Sequence, residues 1–109
     1  MTYGYVYLIV EWGSTPERYK LGITKNDPKL RLKTHQTSNP HELVLIRTYK
    51  SEHYHKIESW MKREYFIYGQ KGGTEWFELP SEIASNFTQE CKRIEDVFND
   101  LIKSGNPFI

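Results

Sequence analysis

Two short runs near the N-terminus constrain the fold more than anything else in the chain: Gly4-Tyr5-Val6-Tyr7-Leu8-Ile9-Val10 and Tyr19-Lys20-Leu21-Gly22-Ile23-Thr24. Each is rich in aromatic and β-branched residues, and a polar segment with Gly13, Ser14 and Pro16 separates them. That pattern predicts a β-hairpin with a loop longer than the minimum. Period-two alternation places Tyr3, Tyr5, Tyr7 and Ile9 on one face of the first strand, with Val6, Leu8 and Val10 on the other. In the second strand Lys20, Gly22 and Thr24 share a face, opposite Tyr19, Leu21 and Ile23. A row of phenols beside a lysine and a glycine is an unusual core lining, but it suits the floor of a site that holds an anion.

The rest of the chain reads as helices laid on this hairpin. Asn26-Asp27-Pro28 predicts a helix start, with Asp27 as N-cap and Pro28 in the first turn. That helix runs through Leu30, Arg31, Leu32 and His35 to about Thr37, and Ser38-Asn39-Pro40 stops it. Leu43–Tyr49 is a strand of strong β-formers. A second helix is expected from Glu52 to about Tyr68, on the spacing of Ile57, Met61 and Tyr65, with Ser51 as its cap. Gly69, Gly72 and Gly73, with Lys71, make a cationic loop before the short apolar segment Glu75–Leu79. A final helix starts at Pro80-Ser81, and Ser104-Gly105-Asn106-Pro107 ends it. Its stripe of Ile83, Phe87, Cys91, Ile94, Phe98, Leu101 and Ile102 is the clearest helical periodicity in the sequence. The expectation is an α+β fold, a small three-stranded antiparallel sheet flanked by helices, forming one domain over residues 1–109.

Composition narrows the function classes. The chain has 109 residues, 15% of them aromatic, and eight tyrosines. Such aromatic content points to packing or stacking surfaces and argues against disorder. A lone Cys91 excludes a disulfide framework and a cysteine-rich zinc site, so a reducing, cytoplasmic setting is expected. No signal peptide and no bilayer-length apolar run is visible, which predicts no membrane partner. The net charge is only +1, but residues 1–50 carry eight Lys/Arg against four Asp/Glu, while residues 51–109 carry seven against ten. The N-terminal half is thus +4 and the remainder −3, an asymmetry that favours an anionic partner docking on the first half.

Several polar residues outside the apolar faces form a pattern. Arg31 and His35, four apart, project together from the first helix. Glu58 flanks the apolar stripe of the second helix, on the side shared with His55 and Lys62. Tyr7 and Lys20 lie on the hairpin. A base candidate, two cations, a histidine and a carboxylate suit phosphodiester cleavage, because the carboxylate can hold a metal and the cations can neutralise the phosphate.

These residues resemble the GIY-YIG nucleases, and more narrowly the branch typified by a phage T5 early-region protein. Tyr5-Val6-Tyr7 corresponds to the GIY motif and Lys20-Leu21-Gly22 to the YIG motif. Arg31-Leu32-Lys33-Thr34-His35 matches the helix arginine with its histidine, and Glu58 matches the metal-binding glutamate. Gly73-Thr74-Glu75-Trp76-Phe77 resembles the late Gly-Glu-Trp-Phe signature. The resemblance spans about residues 3–80, with the elements in the family's order. It departs in three places. Lys20 occupies the YIG tyrosine position, with Tyr19 one residue earlier on the opposite face. The family's C-terminal asparagine has no counterpart, and Lys62 stands where this branch often carries a histidine.

The resemblance implies a metal-dependent DNA endonuclease that nicks by in-line attack of water. Tyr7 would be general base or relay, Lys20 and Arg31 would stabilise the phosphate, and His35 would bond the phosphate or assist the leaving group. Glu58 would hold one divalent ion, magnesium with manganese as the alternative. A free tyrosine has a pKa of about 10, so a cation or metal nearby must favour its phenolate. Tyr5, Lys25, Lys29 and Lys33 are the expected DNA contacts, on a monomer or homodimer, with a partner protein as a possible source of specificity. Two rival readings share this pattern: a non-catalytic nucleic-acid-binding module, and a protein-interaction domain docking through its tyrosine face. A zinc site at His53, His55 and Glu58 is the weaker metal reading, and Cys91 belongs to the core.

Overall fold

The β-rich runs become a four-stranded antiparallel sheet in a computed structural model that describes residues 2–13, 15–37, 39–69 and 76–105. Strand β1 (Gly4–Trp12) lies between β2 (Arg18–Thr24) and β3 (Glu42–Ser51), and β4 (Trp76–Phe77) adds to the outside of β2, giving the order β3-β1-β2-β4. The sheet therefore has one strand more than the three expected. Two residues are too few to show period-two alternation, which is why β4 reads only as an apolar segment. Among the described residues it pairs Phe77 with Tyr19 and Trp76 with Lys20. Beyond Lys20, along Leu21–Thr24, this side of β2 has no strand partner among the described residues.

Helix α1 (Pro28–Gln36) begins as the sequence predicts, with the Asp27 carboxylate accepting the Lys29 N–H at 3.0 Å and Pro28 in the first turn. Helix α2 (Tyr54–Glu64) is shorter than expected and tightens into a 3-10 turn over Tyr65–Tyr68. Ser51 does not cap it: Ser51 closes β3, and its hydroxyl accepts the His53 N–H at 3.0 Å in the turn before the helix. The C-terminal stripe is divided into α3 (Ser81–Ser85) and α4 (Phe87–Lys103), with Asn86 between them. Asn side chains compete with helical hydrogen bonding, so Asn86 is a natural place for the break. Gly105, at a φ of 74°, follows α4. Of the cationic Gly-rich loop, Gly69 bridges to Phe77, while Lys71, Gly72, Gly73 and Glu75 lie outside the described residues.

Helices α2 and α4 cover one face of the sheet. There Val6, Leu8, Val10 and Leu21 pack with Ile57, Met61, Phe87, Cys91 and Ile94 in the main core. Ile57, Met61, Phe87 and Ile94 are fully buried, each such side chain contributing about 1.5–3 kcal/mol. Cys91 belongs to this layer as expected, with burial pushing its thiol up to about 12. The stripe of α4 is buried within the chain at Phe87, Cys91 and Ile94, partly buried at Phe98 and exposed at Ile102. Helix α1 lies on the other face, over a smaller cluster of Tyr7, Ile9 and Leu43 with Leu32, Leu45 and Trp76 at its margin. No helix among the described residues is long and apolar enough to cross a membrane.

Candidate active site

The smaller face carries the polar residues singled out in the sequence. Register places Tyr7 opposite Gly22 and Ile9 opposite Lys20, so the phenol, the glycine and the lysine share one side of the hairpin, as alternation predicts. Gly22 is required by contact, not by backbone conformation. A Cβ there would overlap the Tyr7 hydroxyl and ring, reaching Cε1 at 2.8 Å. The phenol therefore lies directly across the backbone of β2, in space that any other residue would fill.

Helix α1 brings its own pair over this floor. The Tyr7 hydroxyl and His35 Nε2 lie 3.2 Å apart, a hydrogen bond in which Tyr7 donates when the ring proton is on Nδ1. Arg31, one helical turn earlier, lines the same cavity. Because α1 buries only Pro28 completely, polar latches fix its far end. Gln36 accepts the Leu43 N–H at 2.7 Å and donates to the His41 carbonyl at 2.8 Å. Asn39 donates to Glu11 at 3.0 Å. The Arg18 guanidinium completes this set, with contacts of 2.6–2.9 Å to both Glu11 oxygens. Burial pushes the Glu11 carboxyl up, but hydrogen bonds from Asn39 and Arg18, together with the Arg18 charge, hold it below its usual value. Nothing in the local sequence by itself marks Glu11 as buried. Its position on the Tyr7 face is the available signal, but its partners are distant in sequence or across the hairpin.

Helix α2 reaches the same cavity. Its residues Glu58 and Lys62 join Tyr7, Lys20, Gly22, Arg31 and His35 around a hollow of about 240 Å³. All five residues expected at the catalytic centre thus line one cavity, from four elements separated by up to 51 positions in sequence. The Glu58 carboxylate is 14% exposed and faces the Lys62 ammonium at 3.7 Å. Lys20 is nearly buried, with Nζ 5.6 Å from the centre of the Trp76 ring, and the Arg18 guanidinium lies 5.7 Å from the same ring. Trp76 therefore walls the cation side of the floor, a placement its neighbours in sequence do not reveal.

The expected DNA contacts divide. Tyr5, Lys25 and Lys29 line a second, larger hollow of about 610 Å³ beside the first part of α1. Lys33 is exposed on α1 and lines neither hollow. The histidines near α2 also separate: His53 hydrogen-bonds Asn99 at 2.9 Å, and the His55 ring packs on Tyr54 at 4.4 Å. Among the described residues, no three His, Cys, Asp or Glu side chains converge as metal ligands.

A polar cavity on the lightly covered face of an α+β sheet, lined by clustered cations and one carboxylate, has charge complementary to an anion. Residues 4–97 match the T5orf172 domain. The chain belongs to that family, a nuclease-like, DNA-binding group related to the GIY-YIG nucleases. No curated protein and no solved structure gives a significant match.

Proposed function

We propose that the chain is a divalent-metal-dependent DNA endonuclease of the GIY-YIG type, which nicks one strand per site. The observation that carries this reading is the convergence of Tyr7, Lys20, Arg31, His35 and Glu58 on one cavity, in a chain of a nuclease-like family. Arg31 would clamp a non-bridging phosphate oxygen through its planar fork, with Lys20 adding charge from the strand side. Tyr7 would take the proton of the attacking water. The 3.2 Å contact with His35 supplies a path for passing that proton on, so the buried phenol acts as a relay as well as a base.

The residues fit one hard cation. Mg²⁺ takes one or two carboxylates and keeps several waters, and Glu58 is a single, partly exposed carboxylate in an open polar cavity. Glu58 would hold the ion, and Mn²⁺ would serve in the same place. When bound, the ion would neutralise phosphate charge and favour ionisation of a coordinated water. Lys62 would then turn from Glu58 toward the phosphate.

The 3.7 Å contact between Lys62 and Glu58 also favours a second reading, in which the ammonium stands permanently in place of a metal and the domain binds DNA without cutting it. Supercoiled plasmid separates the two. The endonuclease converts it to open circles with magnesium, not with excess EDTA, and not as Glu58→Ala. DNA retained in a gel shift but never nicked, across plasmid and structured substrates, contradicts the endonuclease and supports the binding module.

A further inference from the structure

The larger hollow lies next to the cavity along the same two elements. Tyr5 borders the hollow and Tyr7 the cavity, and two residues along an antiparallel strand span about 7 Å. On α1 the sequence repeats this step, with Lys29 at the hollow and Arg31 and His35 at the cavity. Across the hollow from Lys25 and Lys29, strand β3 contributes Arg47 and Thr48. Here the β1–β3 register shifts. Leu8 pairs with Arg47 and Ile9 with Leu45, which leaves Ile46 as an extra residue. A bulge of this kind re-aims side chains and is frequent beside functional sites. Arg47, the partner of core-facing Leu8, is among the residues that line the hollow, and its guanidinium donates to the Ile46 carbonyl at 2.8 Å. Three cations thus meet one acidic lining residue, Asp27, whose carboxylate is engaged by the Lys29 N–H.

We infer that this hollow is a second phosphate subsite, in which Arg47, Lys25 and Lys29 hold the DNA strand on one side of the phosphate seated between Arg31 and Lys20. The inference rests on the DNA reading above and adds a positioning role for Arg47. The bulge makes Arg47 a contact for the nucleic-acid backbone, and α1 and β1 set the direction of the strand across the site. Phosphate contacts of this kind fix register and carry no sequence information.

The test is fluorescence anisotropy of a short fluorescein-labelled DNA duplex in EDTA, titrated with the protein at increasing KCl. Each phosphate contact contributes about 0.9 to the slope of log affinity against log salt on duplex DNA. Arg47→Gln is expected to weaken binding and reduce the slope by about one. Arg47→Lys keeps the slope, and Lys103→Gln, on the last turn of α4, leaves both affinity and slope at wild-type values. A wild-type slope in Arg47→Gln, and also in the double variant Lys25→Gln/Lys29→Gln, overturns the subsite and leaves the DNA reading standing. Failure of the wild-type protein to bind DNA at low salt overturns both.

Discussion

On one face of the sheet Val6, Leu8, Val10 and Leu21 meet the apolar sides of α2 and α4. On the other, Tyr7, Ile9 and Leu43 share their layer with Glu11 and Lys20 beneath a polar helix. The first face is held by area removed from water. The second is held by a small apolar cluster and by directed hydrogen bonds at the end of α1, through Gln36, Asn39, Glu11 and Arg18. The difference teaches how a chain of this size keeps polar chemistry in reach. An amphipathic helix on both faces would bury the phenol and both cations under hydrocarbon. A polar helix pinned at its ends leaves room for a charged cavity beneath it.

The largest effect that sharpens this comparison is on the apolar face. Ile94→Ala empties a fully buried position and is expected to cost about 2–5 kcal/mol of stability, read by chemical denaturation. The nicking rate per folded molecule should stay at the wild-type level, measured well below the melting temperature. A rate that falls steeply with little loss of stability would break the division of labour between the faces.

A smaller effect is expected on the polar face, and it depends on pH. Glu11→Gln removes the carboxylate that Arg18 and Asn39 engage, costing about 1–3 kcal/mol near neutrality. Because the folded carboxyl lies below its ordinary value of 4.5, its contribution is complete above that value and is lost as pH falls through the folded value. The difference in melting temperature between wild type and Glu11→Gln should therefore shrink in acid. A difference that persists unchanged at the acid end of the titration would show that Glu11 acts through packing and not charge.

The sequence makes the hairpin, the cap of α1 and the core stripe legible, because each is a local pattern. Alternation sorts Tyr7, Gly22 and Lys20 onto one face, and the Arg31–His35 spacing puts both side chains on one helix side. The meeting of these groups with Glu58 follows from the family's order of motifs, not from any spacing, since α2 lies across the sheet. Three features escape sequence reading for physical reasons. Strand β4 is two residues long and defined by its partners. Buried Glu11 looks like any strand charge until Asn39 and Arg18 surround it. The bulge at Ile46 depends on the pairing register with β1, which no single strand encodes.

The central claim is that Tyr7, lying across Gly22 and bonded to His35, is chemical and not merely structural. The measurement is the single-turnover rate of plasmid nicking by Tyr7→Phe, at saturating magnesium and protein, beside the thermal melts of both proteins. Phenylalanine keeps the ring and removes the hydroxyl. The account predicts a rate lowered by about 10²–10⁴-fold with a melting curve close to wild type. A rate within a few-fold of wild type, in a protein equally folded, would contradict it.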